Sequence, residues 1–174
     1  MNEKKNIINH LIQTHNFTKY LEIGVDDPEV NFKLINCPTK HSVDPCIEFD
    51  AFVDYKYPSD EFFFKLENGQ LNLPPDYKWD IVFIDGLHIS TQVERDFNNA
   101  FNHLILHTVG GMGATFDRIE DGICDLDWGL AVIHRGNQEC CEFDNPFYEY
   151  RKFEENRKRY LNTINLEEFY QIYK

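Results

Sequence analysis

The stretch WDIVFIDGLHISTQVERD, Trp79 to Asp96, decides how the chain is read. Ile81, Val82, Phe83 and Ile84 form a continuous β-prone apolar run. Continuous rather than alternating hydrophobicity is the mark of a strand buried on both faces, as in a parallel sheet. The run stops at Asp85-Gly86, His88 follows, and a helix is expected next. Thr91 and Glu94 have capping-box spacing. Val93, Phe97, Ala100, Phe101 and Leu104 share one apolar helical face.

The same alternation extends outward in both directions. Upstream, Ile7, Ile8, Leu11 and Ile12 make a helical stripe within NEKKNIINHLIQTH, and KYLEIGV reads as the first strand. DPEVNFKLIN reads as a short helix with Asp27 as N-cap and Pro28 at its first position. KHSVDP is the second strand, stopped by Pro45, and AFVDYKY the third. PSDEFFFKLENG is a helix that starts at Ser59 or Asp60 and ends before Gly69. DIVFIDG is the fourth strand. GGMGATFD reads as a fifth, introduced by a Gly turn. GICDLDWGLAVIHRG reads as two short strands turning near Asp127-Trp128-Gly129, and the tail as helix in two pieces. Strands alternating with helices predict an α/β fold: a Rossmann-like, mostly parallel sheet flanked by helices, with an antiparallel C-terminal edge hairpin. The 174 residues fit a single domain spanning 1–174.

Bulk composition narrows the function. The net charge of −13 argues against non-specific nucleic-acid binding, which depends on neutralising phosphates. Arg151, Lys152, Arg157, Lys158 and Arg159 cluster late, either as a solvated helix face or as a local anion or partner site. No apolar run approaches the roughly 20 residues that span a bilayer, so no membrane partner is expected. The N-terminus MNEKKNIINHL has no signal-peptide pattern. Five cysteines, an odd count without CxxC, fit reduced thiols in a cytoplasmic protein better than a disulfide framework or a zinc site.

In an open α/β sheet, ligands bind outside the carboxyl ends of the strands, near a topological switch point. Four expected strands end there in an acid or a Gly turn: Glu22-Ile23-Gly24, Val43-Asp44, Ile84-Asp85-Gly86 and Phe116-Asp117. Any one such acid could be a solvated turn or a helix cap. Four on one rim point to a ligand with hydroxyls, amines or positive charge, or to a metal ion.

YLEIGV, SVDP, SDEFF, DIVFIDGLH followed by QVERD, and DWGLAVI occur in an order that resembles class I S-adenosylmethionine-dependent methyltransferases. The likeness is closest to the small branch carrying FIDGLH, often found with bacterial glycan-modification genes. NPFYEY, FEENRK and EEF near the C-terminus are similar to that branch too. The resemblance implies S-adenosyl-L-methionine as cofactor and a transferase, most simply an O-methyltransferase of a small molecule or a glycan. It implies that Glu22 and Gly24 form the loop approaching the methionine part, and that Asp44 accepts from the ribose hydroxyls. Ser59 and Asp60 would lie at the adenine, although Asp60 reads equally as a helix N-cap. Asp85 and His88 would sit at the methyl-transfer site, with His88 as base and Asp85 orienting it, or Asp85 itself as base. His88 has a second reading, a helix-start residue with a structural hydrogen bond. Related O-methyltransferases hold Mg²⁺ with acids at the positions of Asp85 and Asp117; two acids alone make a weak site.

The chain departs from that pattern in three places. The first loop, EIGVDDPEVNF, has only Gly24 where the family has more glycines, and it brings Asp26 and Asp27 towards the cofactor. Phe116 stands where the family has His. Only RIEDGICDL separates the fifth strand from the DWG segment, so the loop that would cover the acceptor is missing. These departures favour a competing reading, a non-catalytic binding or interaction module whose exposed apolar surface supports homo-oligomerisation. A nucleotide binder of the NAD type is disfavoured by the absence of GxGxxG.

Overall fold

A computed structural model describes residues 3–87, 89–105, 107–110, 131–134 and 166–172. The chain divides into two compact units, Met1–Arg135 and Gly136–Lys174.

The first unit begins with α1 (Glu3–His15), whose stripe residues Ile8, Leu11 and Ile12 are buried. The helix closes because Asn16 takes a left-handed φ of 55° and Phe17 N–H returns to Ile12 O at 2.9 Å. The strands are β1 (Lys19–Ile23), β2 (Thr39–Val43), β3 (Ile81–Ile84), β4 (His107–Gly110) and β5 (Ala131–His134). They form one sheet in the order β2-β1-β3-β4-β5. β1 runs parallel to β2 and β3, β3 parallel to β4, and β5 antiparallel to β4. The unit is therefore an open α/β sheet, mostly parallel, with an antiparallel edge strand. The chain moves outward from β1 to β2 and outward the other way from β3 to β4, so the order reverses between β1 and β3.

Each face of the sheet has its own cover. Leu21, Ile23, Val43, Val82 and Ile84 pack with Phe62, Phe63 and Leu66 of α2 (Ser59–Glu67), with Ala100 of α3 (Ser90–Asn102), and with Trp79 and Leu104. Full burial of Phe62 alone contributes roughly 2–3 kcal/mol. The alternate residues Tyr20, Glu22 and Phe83 point to the opposite side, where Lys4 of α1 lies 5.8 Å from the Phe83 ring centre. At the amino ends of the strands, the Asp80 carboxylate accepts from Thr18 N–H at 2.7 Å and Lys19 N–H at 3.0 Å, and thereby ties β3 to β1. Trp79 Nε1 donates to His41 Nδ1 at 3.1 Å, and burial holds His41 below its usual range, in the neutral form able to accept.

Several expected elements differ. AFVDYKY keeps its period-two exposure but is no full strand; it meets β2 only at a parallel bridge between Tyr55 and Val43. The Asp54 side chain is the reason. Its Oδ2 takes both Ser42 N–H at 2.9 Å and Ser42 Oγ at 2.8 Å, so a carboxylate ends the ladder. DPEVNFKLIN forms turns and one 3₁₀ turn, Phe32–Leu34, rather than a helix. Asp27 does cap locally, taking Glu29 N–H at 3.0 Å, but Asn31 has a non-helical φ of −132° with its side chain drawn to Glu22. The capping box at Thr91 and Glu94 is not used: α3 starts at Ser90 behind Ile89, without a side-chain cap. β4 at His107–Gly110 pairs with β5 through Thr108 and Val109, and of the strand expected at GGMGATFD only Gly110 falls within it. Residues 111–117, the first strand of the expected hairpin at 122–126 and the basic cluster at 151–159 lie outside the described residues.

In the second unit, α4 (Leu166–Ile172) is short, and Phe169 packs edge-on against Tyr170 with ring centres 5.4 Å apart. Among the described residues, no helix is long and apolar enough to cross a membrane.

Candidate functional site

The order reverses between β1 and β3, the place beside whose carboxyl ends open α/β sheets bind ligands, and the loop geometry there is set by close backbone packing. Asp85 N–H donates to Ile23 O at 2.7 Å, and Gly24 N–H to Val43 O at 2.9 Å. Gly24 has a φ of +81°, and a Cβ on it would lie 2.3 Å from Asp85 O and 2.4 Å from Gly86 Cα. The glycine is required because the Asp85-Gly86 backbone crosses directly over it.

Asp44, at the end of β2, reaches back over the first loop. Its Oδ2 accepts from Val25 N–H at 2.8 Å and Asp26 N–H at 3.3 Å, and its Oδ1 from Cys46 N–H at 2.6 Å. A carboxylate offers about four acceptor directions, so these three bonds leave about one for a ligand. Asp26 itself sits at a φ of 49°, a left-handed turn stabilised by that contact.

Glu22 does not project into the loop. It points to the α1 side of the sheet and is buried, and both Tyr20 Oη (2.6 Å) and Asn31 Nδ2 (3.0 Å) donate to its Oε2. Burial pushes its pKa up to about 7 despite these donors, with the nearby Asp85 charge adding to the rise. Asn31 Oδ1 is buried and has no hydrogen-bond partner among the described residues. Above the group, Asp85 Oδ2 holds Lys4 Nζ of α1 at 2.7 Å, both side chains being partly exposed.

Ser59 and Asp60 lie on the seam between α2 and α3. Ser59 Oγ donates to Asp96 Oδ1, and Gln92 Nε2 donates to the same oxygen at 2.8 Å and to Ser59 Oγ at 3.2 Å. Asp60 accepts from Arg95 Nε at 3.2 Å and Asn99 Nδ2 at 3.4 Å. Asp96 is 1% exposed, and its desolvation raises its pKa. Its Oδ2 comes within 3.6 Å of where a Cβ on Gly86 would stand, so the acid lies under the loop that follows β3. His88 and Asp117 lie outside the described residues.

Glu22, Gly24, Asp44 and Asp85 thus gather at or just beneath one rim, while Ser59 and Asp60 bind the two helices beside it. Lys4, Asn31 and Asp96 were not foreseen. Asp96 carried a signal: it falls within the apolar face of α3, between Val93 and Ala100. Lys4 and Asn31 carried none, since their partners are distant in sequence or lie in another element.

Exposed apolar side chains also collect in the loops at these strand ends. Ile47 and Phe52 after β2 are 84% and 91% exposed, and Leu87 and Ile89 after β3 are exposed as well. They offer apolar surface to a ligand's ring face or to another molecule.

The donor set fits S-adenosylmethionine in part: Asp44 can still take a ribose hydroxyl. Of the two acids expected to hold Mg²⁺, Asp85 is described and Asp117 lies outside the described residues. Among the described residues no three His, Cys, Asp or Glu side chains gather as ligands, and the Asp85 carboxylate already holds an ammonium group.

These features define an open α/β protein with carboxylates gathered at the switch point of its sheet. No family model matches the chain, and no curated protein matches it.

Proposed function

We propose that the protein is a class I-type S-adenosylmethionine-dependent methyltransferase acting on a hydroxyl of a small molecule or sugar. The observation that carries this reading is the pair of strand-end acids, Asp44 on β2 and Asp85 on β3, on either side of Gly24 at the switch point. The cofactor supplies an electrophilic methyl group on its sulfonium. In the proposal, Asp44 receives a ribose hydroxyl on its remaining acceptor direction. Ile47 and Phe52 supply apolar surface at the adenine end. Asp85 and His88 face the acceptor, where one of them takes the hydroxyl proton as the oxygen attacks. The antiparallel edge would be completed by a hairpin ahead of β5. A cytoplasmic setting belongs to the same proposal and accords with the free thiols of Cys37 and Cys46.

The second reading, a binding module without catalysis, draws on the engagement of Ser59 by Asp96 and of Asp85 by Lys4. Native mass spectrometry of the freshly purified protein separates the two. A carried-over S-adenosyl ligand supports the enzyme; a ligand-free protein that also takes up none on addition supports the module.

A further inference from the structure

We propose that Gln92 and Asp96 fix the polarity of the Ser59 hydroxyl, so that it acts only as an acceptor and selects a ligand base that carries an amino group. The proposal rests on reading the site as one for an S-adenosyl ligand whose base extends from the ribose at Asp44 towards the start of α2. It goes beyond that reading by naming the residues that choose the base.

The direction of each hydrogen bond in this cluster follows from Arg95, which can only donate. Asp60 accepts from Arg95 Nε at 3.2 Å and steadies the guanidinium. A guanidinium has no acceptor, so the Gln92 atom that meets Arg95 Nη2 is the carbonyl Oε1. The Gln92 amide is thereby turned with Nε2 towards Asp96 Oδ1 at 2.8 Å and Ser59 Oγ at 3.2 Å, and both of its protons are spent there. Ser59 Oγ accepts from Gln92 and gives its single proton to Asp96 Oδ1, a buried carboxylate that, while ionised, has no proton to return. A hydroxyl offers one donor and two acceptor directions. Among the described residues, Ser59 therefore keeps one acceptor direction and no donor, on a side chain that is only partly buried. Donation to a carboxylate also strengthens the oxygen as an acceptor. Such a group meets an N–H favourably and gains nothing from a C–H in its place. Asp96 and Gln92 stand on α3 and Ser59 on α2, so this polarity is a property of the tertiary fold.

The test is calorimetric titration of the full chain with S-adenosylhomocysteine and with its 6-desamino counterpart, in which hydrogen replaces the amino group of the base. Wild type, Ser59→Ala and Asp96→Asn are compared, with circular dichroism to confirm folding. Wild type should bind the amino ligand about tenfold more tightly than the desamino one. Ser59→Ala should bring the two affinities within about twofold, by weakening the amino ligand alone. Asp96→Asn should narrow the gap to about threefold or less, because a neutral amide holds the Ser59 proton less firmly than a carboxylate. A merely structural role for either residue would weaken both ligands alike and leave the gap as it was. Equal binding of the two ligands by wild type overturns the proposal and leaves the S-adenosyl reading standing, and so does a tenfold gap that persists in either variant. Binding of neither ligand by wild type overturns that reading and this proposal with it. Either variant decides the matter if the other fails to fold.

Discussion

Gly24 lies directly beneath Gly86: a side chain on the first would put its Cβ 2.4 Å from the backbone of the second. That contact locks the ends of β1 and β3 together and sets the height of Asp85 above the sheet. Gly24→Ala must both strain a φ of +81° and push the crossing backbone away. It should cost at least about 3 kcal/mol in denaturant unfolding. A loss under about 1 kcal/mol would mean that the two loops do not pack this closely.

Glu22 makes stability fall with rising pH. Its folded-state pKa is raised to about 7 from an ordinary value of 4.5, so folding favours the protonated acid. Its contribution is fully present below about pH 4.5 and is lost as the pH climbs through about 7. Glu22→Gln keeps the acceptor for Tyr20 and Asn31 but removes the titration. Between pH 5 and pH 8 the variant should gain roughly 2–3 kcal/mol relative to wild type. A difference between the two proteins that stays constant across that range would contradict the burial of an ionisable Glu22.

Ser59 matters to stability through Asp96. Ser59→Ala removes one of the two donors to Asp96 Oδ1 and leaves a buried carboxylate under-satisfied, at a cost of about 1–3 kcal/mol. Desolvation already raises the Asp96 pKa, and losing a donor raises it further, so the penalty should shrink as the acid protonates at lower pH. Melting curves at pH 5 and pH 8 measure this; an equal penalty at both values would argue against Asp96 as the partner.

Much of this framework can be read in the sequence where burial is two-sided. Ile81–Ile84 is unbroken apolar sequence because both faces of the sheet are covered; β1 keeps most of that character in KYLEI, whereas β2, TKHSV, is polar up to Val43 and is marked mainly by the Pro45 that stops it. Alternation was a weaker guide. AFVDYKY alternates as a strand should, but the Asp54 carboxylate replaces the ladder at Ser42, and nothing in the pattern distinguishes an exposed strand acid from an edge cap. Thr91 and Glu94 have the right spacing for a cap, but the helix starts two residues too early to use it. The rim acids could be placed because strand ends can be placed. Their partners could not, since Lys4 reaches Asp85 and Asn31 reaches Glu22 only through the tertiary fold.

Binding of an S-adenosyl ligand beside Asp44 is tested most directly by calorimetric titration with S-adenosylhomocysteine. Wild type should bind, and Asp44→Asn, folded by circular dichroism, should bind about tenfold or more weakly, the loss expected for one charge-assisted hydrogen bond. No heat and no shift in melting temperature at millimolar ligand, or equal binding by the two proteins, would contradict it.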